Sequence, residues 1–377
     1  MSQITRREFL QHSGVFAASM TLWGKWAFAD SLLKQSSLTG YIAAPQDAKE
    51  LYSRYPVNVP KGPSTVLTDL KTGETRFLPG INSAHSVIAV KSNKAAPRLV
   101  VIPKHAKQAI IIDPVEGRVV ATFSSTKDRD FFGHGTSSVD GQFIFCSESA
   151  KDKLDGLISV RDSTNGKLVD QFKSYGQNPH EIRLLNDGKT LLVANAGPLD
   201  YDTIRDGRER TCMAFIDLKS RKLDQRLLSK TPNVKLAHFA HTQSGQIFVG
   251  GVPGTNKDKT PARVMASNGK SDLQELPIPD AVKKILVNET LSVVANDKIV
   301  AASMPFCDRV LVWDAHSMQF NCAIEVKHPT GLCIKDAELF VGADLGQLIE
   351  LNLTKARSDG PRFPNALAGN QTHITQL

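Results

Sequence analysis

The chain has 377 residues, enough to bury a large core as one repeat domain or as two ordinary domains. Its hydrophobic content of 41% and charged content of 22% are those of an ordinary soluble globular protein. The net charge is +8, but the basic residues are scattered and only 7% of residues are aromatic, which argues against binding to nucleic acid or to anionic membranes.

The N-terminal segment has the features of an export signal rather than of the fold. Arg6 and Arg7 stand together in the run TRREFL, a moderately apolar stretch follows, and a small-x-small cleavage pattern ends at Ala29. This pattern is similar to a twin-arginine signal and predicts that residues 1–29 are removed and that the protein is periplasmic. No later segment reaches the roughly 18 apolar residues of a membrane span, so we expect none after signal removal. Residues 30–377 are expected to form one domain.

A repeat of about 40 to 50 residues runs along the rest of the chain. Each copy has an apolar strand that ends near an anchor residue, usually Asp, then a turn that usually has Gly four positions later, then a second strand, as in a β-hairpin. The anchors are at positions 69, 113, 162, 217, 265, 314 and 352. A further strand pair with its own turn, such as NDGKTLLVAN, precedes most of them. Seven units of four short strands predict an all-β fold, a seven-bladed β-propeller.

The two ends of the chain are predicted to complete the same blade. The first unit starts with TGYIAAP, which looks like a second strand with no innermost strand ahead of it. The C-terminal run AGNQTHITQL parallels YGQNPHEIRLL, with His373 in the place of His180. We therefore predict that the C-terminal strand is the innermost strand of blade one, beside strands from residues 38–80, and that it closes the ring without an open sheet edge.

Histidines recur where the first strand of a unit begins. They are His85, His134, His180, His238, His328 and His373. Only the sixth unit differs, with Asn288 or Glu289 in this place. The first strands of propeller blades line the central channel, so the six side chains are predicted to converge at one mouth of it. Three or more imidazoles are the usual requirement for tight binding of Cu, Zn or Fe ions, so the pattern indicates a metal site.

Two other interpretations of the same histidines stay open. The ring of imidazoles would also suit a haem-related or other anionic ligand. A purely structural repetition is the second alternative, because propellers often place a polar residue there that bonds to the backbone of the neighbouring blade.

Few other side chains near this ring suggest chemistry. Glu181 is the only candidate general base beside it, and it could instead orient a histidine or add a carboxylate ligand. His241 is expected to point away from the axis, because side chains alternate along a strand. Phe131 and Phe132 are candidates for a wall of the site or for packing between blades. The insertion at residues 196–212, which contains several Asp and Arg residues, either caps a channel mouth or is a solvated loop.

The five cysteines form no recognisable ligand set or disulfide framework. Their number is odd, and none has a CxxC, haem-attachment or zinc-ribbon spacing. We expect mostly small buried apolar residues, because a chain that folds in the reducing cytoplasm before export needs no disulfides. A single bridge between Cys322 and Cys333 is an alternative.

Several runs of the chain resemble a known family. GHGTSSVDGQFIFCSE, ISVRDSTNGKLVDQF, NPHEIRLLNDGKTLLVANAG and LAHFAHTQSGQIFVG are similar to a domain-of-unknown-function family of twin-arginine-exported seven-bladed propellers. Members often accompany periplasmic iron-uptake components such as imelysin-like and di-haem peroxidase-like proteins, so the resemblance implies partners of that kind. The family's motifs correspond here to Gly133-His134-Gly135, Pro179-His180-Glu181 and His238-Phe239-Ala240. The loop AGPLDYDTIRDGRER departs from the family, and the repeat style is also similar to that of lactonase and YVTN-type propellers.

Three functions are compatible with these observations. The first is a periplasmic propeller that binds a transition metal or haem-related ligand, with an Fe, Cu or Zn ion as cofactor or cargo, in metal acquisition or handling. The second is a lactonase-like hydrolase in which a channel metal activates water and Glu181 is the candidate base. The third is a non-catalytic scaffold that binds partner proteins on its rim.

Overall fold

The computed structural model describes residues 41–46, 62–90, 97–150, 156–197, 211–231, 234–253, 262–343, 346–358 and 373–376. The predicted export signal and residues 198–210 of the long insertion lie outside the described residues. Apart from one short helix, α1 (Asp280–Lys283), and a 3-10 turn at Pro305–Cys307, the regular structure of the described residues is β. None of their helices has the length and apolar character needed to cross a bilayer.

The described strands fall into seven groups of four, each paired antiparallel. The first two groups are β1 (Tyr41–Gln46), β2 (Ser64–Asp69) and β3 (Thr75–Pro79) with β28 (Thr375–Gln376), then β4 (Ala84–Val90), β5 (Arg98–Ala106), β6 (Gln108–Asp113) and β7 (Arg118–Ser124). The third and fourth are β8 (Asp130–Ser137), β9 (Phe143–Ser149), β10 (Leu157–Asp162) and β11 (Leu168–Lys173), then β12 (Pro179–Leu184), β13 (Thr190–Asn195), β14 (Cys212–Asp217) and β15 (Leu223–Leu228). The fifth is β16 (Val234–His241), β17 (Ile247–Pro253), β18 (Arg263–Ser267) and β19 (Gln274–Glu275). The last two are β20 (Ser292–Ala295), β21 (Ile299–Met304), β22 (Arg309–Asp314) and β23 (Phe320–Glu325), then β24 (Leu332–Lys335), β25 (Glu338–Gly342), β26 (Leu348–Asn352) and β27 (Arg357–Ser358).

Two connections between strands depart from a simple row of separate sheets. The end of β5 also pairs with β8, through Lys104 with Phe132, so the second and third groups form one eight-stranded sheet. The two-residue strand β28 pairs antiparallel with β1, through Ala43 with Thr375 and Ile42 with Gln376. In the first group the strand order is therefore β28-β1-β2-β3, in which the last described strand of the chain precedes the first. We call β28, β4, β8, β12, β16, β20 and β24 the leading strands of their groups.

The hairpin turns follow the chemistry of the repeat. Oδ1 of Asp69 accepts hydrogen bonds from the backbone N–H groups of Lys71 and Thr72, at 2.6 and 3.2 Å, and the turn ends at Gly73 with φ 74°. Where the repeat lacks this glycine, Arg221 and Met318 adopt the same left-handed backbone, with φ 60° and 59°. The turn geometry is thus retained at the cost of a backbone conformation that non-glycine residues disfavour.

The apolar core lies between neighbouring groups. Val310 and Val312 of β22 belong to one buried cluster with Leu332 of β24 and Leu339 of β25. Trp313, which is fully buried in the adjacent cluster, donates its indole N–H to the carbonyl oxygen of Pro277 at 2.9 Å. The sheets therefore stack face to face in chain order, each covering the apolar face of the next.

Serine hydroxyls link the leading strands across group boundaries. Ser86 on β4 donates to the carbonyl oxygen of Gly133 on β8 at 2.7 Å. Ser147, on the strand next to β8, donates to the carbonyl oxygen of His180 on β12 at 3.1 Å. These bonds hold consecutive leading strands side by side, which brings their first residues close together.

All five cysteines are free thiols. The alternative bridge between Cys322 and Cys333 is wrong, because Cys322 lies on β23, at the edge of its sheet, and Cys333 on β24, the leading strand of the next. Burial raises the pKa of Cys146 and of Cys333 to about 12 and that of Cys212 to about 11, so these three are neutral buried groups.

Candidate metal centre

Four leading strands each carry a histidine at an irregular point of the ladder. The register between β4 and β5 shifts between Ala84 and Ser86, on either side of His85, and the shift in β16 spans His238 in the same way. The shifts in β8 and β12 span His134 and His180. Such bulges re-aim a side chain away from the ordinary alternation of a strand. A fifth histidine, His373, comes two residues before β28.

These five imidazoles form one compact cluster. Among the ring pairs in contact, the separations between ring centroids run from 4.3 to 6.1 Å. Nε2 of His373 lies 3.2 Å from Nε2 of His85, and Nε2 of His180 lies 3.3 Å from Nε2 of His238. The possible ligand nitrogens of four of the five all lie within 4.8 Å of one another, and these four are His85, His134, His238 and His373. We call the five residues the histidine cluster.

A glycine makes part of this close approach possible. A Cβ atom on Gly133 would lie 2.5 Å from Cδ2 of His85, and the φ of Gly133 is 108°. No other residue fits both the space and the backbone conformation. The glycine immediately before His134 is therefore required for the two rings to meet.

Burial keeps the cluster uncharged. His85, His134, His180 and His238 are between 3 and 9% exposed, and the ring of His373 is buried with them. Burial, with smaller effects from neighbouring positive groups, lowers the pKa of four of them well below the ordinary value of 6.5. Burial also lowers the pKa of His238, although a nearby carboxylate acts in the opposite direction. Neutral imidazole, the form that ligates metal ions, is thus the form present at pH 7.

Hydrogen bonds fix the direction of the ring nitrogens. Nδ1 of His180 lies 3.1 Å from the carbonyl oxygen of Phe132, which can only accept, so Nδ1 carries the proton and Nε2 has a free lone pair. Nδ1 of His238 lies 3.5 Å from Oε2 of Glu181 and has no hydrogen-bond partner. The Nε2 atoms of His180 and His238 are 3.3 Å apart, so the tautomer of His238 with its proton on Nε2 donates a hydrogen bond to Nε2 of His180. Nε2 of His134 is buried without a hydrogen-bond partner.

The spacing of the ring nitrogens also suits a metal ion. Two imidazole nitrogens that bind one tetrahedral zinc ion at about 2.0–2.1 Å are roughly 3.3–3.4 Å apart. The nitrogen pairs of the cluster are 3.2 and 3.3 Å apart. The cluster therefore has the donor type and the spacing of a site for a transition-metal ion.

Glu181 is fixed in place beside the cluster. Its Oε1 accepts a hydrogen bond from Nε of Arg183 at 2.7 Å, and its Oε2 accepts one from the backbone N–H of Phe239 at 2.8 Å. Burial alone would raise the pKa of Glu181, but the charge of Arg183 and the bonds from His238 and Phe239 outweigh it and lower the pKa. The carboxylate is therefore ionised and placed to orient His238.

His328 does not join the cluster. It is exposed, with φ 43°, and its backbone N–H donates to Oδ1 of Asp308 at 2.8 Å. The leading strand β24 begins only at Leu332, and Gly331 occupies the place next to β28, where a Cβ atom would lie 2.6 Å from the backbone nitrogen of Ile374. His328 therefore lies in the connection that precedes β24 and not at the start of the leading strand, where the sequence predicted it.

The other histidines and acids of interest lie outside the cluster. His105 and His316 are exposed, and Glu289 of the sixth group is half-buried. His241 is half-buried and lies on the wall of the cavity next to the cluster. Phe132 is part of the site through its carbonyl oxygen and through its ring, which contacts the ring of His180 edge-on.

A cavity of about 480 Å³ adjoins the histidine cluster. His134, His238 and His373 lie on its wall. Every leading strand contributes to it, including β20 and β24, which carry no histidine. The first strands of all seven groups thus surround one common space.

The comparisons with known proteins bear on the family and the fold. A family model described as "Protein of unknown function (DUF1513)" matches residues 80–368. The chain belongs to the DUF1513 family. No curated protein matches the sequence.

Two solved structures are similar to this DUF1513 chain in fold. Hydrazine synthase from Kuenenia stuttgartiensis matches with a TM-score of 0.58 and 14% identity, over 77% of this chain and 89% of that one. BamB from Moraxella catarrhalis matches with a TM-score of 0.46 and 14% identity, over 76% and 78% of the two chains. At 14% identity, the match to hydrazine synthase bears on the fold alone.

Proposed function

We propose that the seven groups are the blades of one closed seven-bladed propeller. The support is that all seven leading strands surround one cavity and that β28 pairs with β1, next to β2 and β3. The histidine cluster would then lie in the central channel of the ring.

We further propose that the protein binds a transition-metal ion through the histidine cluster. The observation that carries this proposal is the convergence of neutral Nε2 atoms, two pairs of them 3.2 and 3.3 Å apart, beside the unpartnered Nε2 of His134. A purely structural repetition does not account for five imidazoles in mutual contact, since the sheets of β20 and β24 form without a histidine at this position. An interaction scaffold would not need them either.

The imidazole donors favour a single transition-metal ion from the later part of the first row, not an ion held in a porphyrin. Imidazole suits Zn, Cu, Fe and Ni, and affinity among divalent ions rises from Fe to Cu and falls again at Zn. The contacting rings, with centroids as close as 4.3 Å, leave no gap for a porphyrin between them, so an ion is preferred over haem. We propose that copper and zinc ions bind most tightly to the cluster and that iron binds more weakly. The family resemblance suggests a role in handling iron.

The proposed setting is the periplasm, with a role in acquiring or handling the metal. It rests on the twin-arginine pattern within residues 1–29 and on the resemblance to families that accompany iron-uptake proteins. Partners from such a system would be periplasmic proteins that deliver or receive the ion.

Elemental analysis of exported protein without a histidine tag tests the metal proposal directly. We expect about one equivalent of a first-row metal, or its uptake and a higher melting temperature when Zn, Cu or Fe is added to stripped protein. The double variant His134→Ala/His238→Ala should take up none, whereas the matched exposed pair His316→Ala/His328→Ala should bind as the parent does. A parent protein that neither contains nor takes up such a metal would contradict the proposal.

The hydrolase alternative has less support. A general base must be free to accept a proton, but Glu181 is held by Arg183 and by the N–H of Phe239, and its pKa is lowered. Both features make its carboxylate a poor base and a good positioning group.

A further inference from the structure

The histidine cluster would hold an ion without neutralising it. The four histidines with mutually close ligand nitrogens are buried and neutral, so a divalent ion would keep both of its charges. A buried charge without a counter-charge is strongly unfavourable. The counter-charge must come from a neighbouring residue or from a bound anion.

The nearest buried acid is already neutralised. Glu181, 5% exposed, is paired with Arg183 through one oxygen, with N–O distances of 2.7 and 2.5 Å to two guanidinium nitrogens. The two charges cancel at short range, so the pair contributes little to balancing an ion held by His238.

A second positive group lies near the cluster. Lys104 is half-buried, and its Nζ lies 5.8 Å from the ring centroid of Phe132, which in turn contacts His180. Among the described residues, Lys104 thus adds positive rather than negative charge beside the cluster.

The cavity gives an anion room to reach the ion. Its volume of about 480 Å³ compares with about 30 Å³ for one water molecule, and His134, His238 and His373 lie on its wall. Arg183 lies on the same wall, with 42% of its side chain exposed. The hydroxyl of Thr375 on this wall donates a hydrogen bond to the carbonyl oxygen of Val87.

We propose that the metal centre carries an exchangeable small anion, of the carboxylate or inorganic monovalent class, bound to the ion from the cavity that Arg183 lines. The inference rests on the proposed function, because the anion has no partner without the ion. The anion would add to the coordination sphere of the ion, so that one metal–anion bond would form and no electron would be transferred.

Cobalt(II)-loaded protein provides the test, because the d–d absorption bands of Co(II) change when its ligands change. Titration with azide or formate should shift the bands with a saturable curve. Glu181→Gln, which leaves the charge of Arg183 uncompensated, should tighten anion binding about tenfold, and Arg183→Gln, which leaves the carboxylate uncompensated, should weaken it about tenfold. The double variant Glu181→Gln/Arg183→Gln should return close to the parent.

The chain offers a matched control at the surface. Glu116 and Arg118 form an exposed pair with the same residue types and the same spacing of two. Glu116→Gln and Arg118→Gln should leave anion affinity unchanged, which separates the local pair from the total charge of the protein.

The outcomes separate this inference from the proposed function. If Co(II) does not bind, the metal proposal fails. If Co(II) binds with its own spectrum but azide and formate leave the bands unchanged, or if the two single variants shift the affinity in the same direction, the anion inference is overturned and the metal site stands.

Discussion

Two sets of leading strands differ in how their strands begin. In β4, β8, β12 and β16 the ladder is irregular and a buried histidine occupies the irregular point. In β20 and β24 the ladder is regular from the first residue and carries no histidine. We call the first set, together with His373, the histidine half and the second set the plain half.

The plain half shows what the fold itself requires. There the strand starts are held by ordinary hydrogen bonds: the N–H of Ser292 donates to the hydroxyl of Ser303 at 3.0 Å, and the N–H of Leu332 donates to the hydroxyl of Ser292 at 3.2 Å. The sheets stack without any imidazole at this position. The bulges and histidines of the other half are therefore additions to the architecture, and such additions point to a function.

Acidification should affect the histidine half most strongly. Four of its histidines have a folded-state pKa well below 6.5, so below pH 6.5 the unfolded chain takes up protons that the folded protein does not. Stability is thus fully present above pH 6.5 and falls as the pH drops below it, by about 1.4 kcal/mol per pH unit for each group and about 5.5 kcal/mol per unit for the four together. Urea unfolding of metal-free protein at pH 7.5, 6.5 and 5.5 measures this slope.

A single replacement in the cluster gives the control for this prediction. His134→Gln should reduce the loss of unfolding free energy below pH 6.5 by the contribution of one group, about 1.4 kcal/mol per pH unit. His328→Gln, at an exposed site, should leave this slope unchanged. A slope that is the same in the parent and in His134→Gln would show that the cluster does not resist protonation.

The second prediction concerns the group that orients a histidine. Glu181→Gln removes the charge that faces Nδ1 of His238, and loss of such an outer partner typically weakens metal binding 10–100-fold, or by about 1.4–2.7 kcal/mol. Competition of zinc against a chromophoric chelator measures the change. Glu116→Gln is the surface control, and equal zinc affinities for both variants would remove Glu181 from the site.

The third prediction, which has the smallest expected effect, compares one serine hydrogen bond from each half. Ser86→Ala and Ser292→Ala each remove a buried hydrogen bond between neighbouring leading strands, and each should lower stability by about 1–2 kcal/mol. Only Ser86→Ala, next to His85, should also weaken zinc binding. Urea unfolding and zinc titration of both variants test this, and a loss of zinc affinity in Ser292→Ala would argue against a functional division between the halves.

The four-strand repeat was largely predictable because its determinants are local. In most hairpins, an Asp that accepts from the next backbone amides and a residue with positive φ four positions later define the turn within a few residues, as Asp69 and Gly73 show. The apolar strands on either side need only their own alternation to be recognised. The all-β fold follows from such signals, whereas the number of blades and the closing of the ring remain proposals.

The candidate site was predictable only where the repeat kept its spacing. His85, His134, His180, His238 and His373 were each placed where a leading strand begins, and the structure brings them together. His328 has a similar sequence context but follows a connection of different length. Whether the five ligate an ion stays a prediction.

Two features had no signal in the sequence at all. The bulges depend on how two strands pair, and the carbonyl oxygen of Phe132 is a backbone group present at every residue. Each is set by tertiary contacts that no local pattern encodes.

The position of His373 has a consequence for the chain as a polymer. Its Nε2 meets that of His85 across 288 residues of sequence, while the strand that follows it pairs through only two residues. An ion bound by both would close almost the whole domain into one loop, and a cross-link over so long a span restricts the random coil far more than it alters the native contacts. Removal of the ion by an added chelator would open this loop, as reduction opens a disulfide-closed loop. The C-terminal segment would then unfold first.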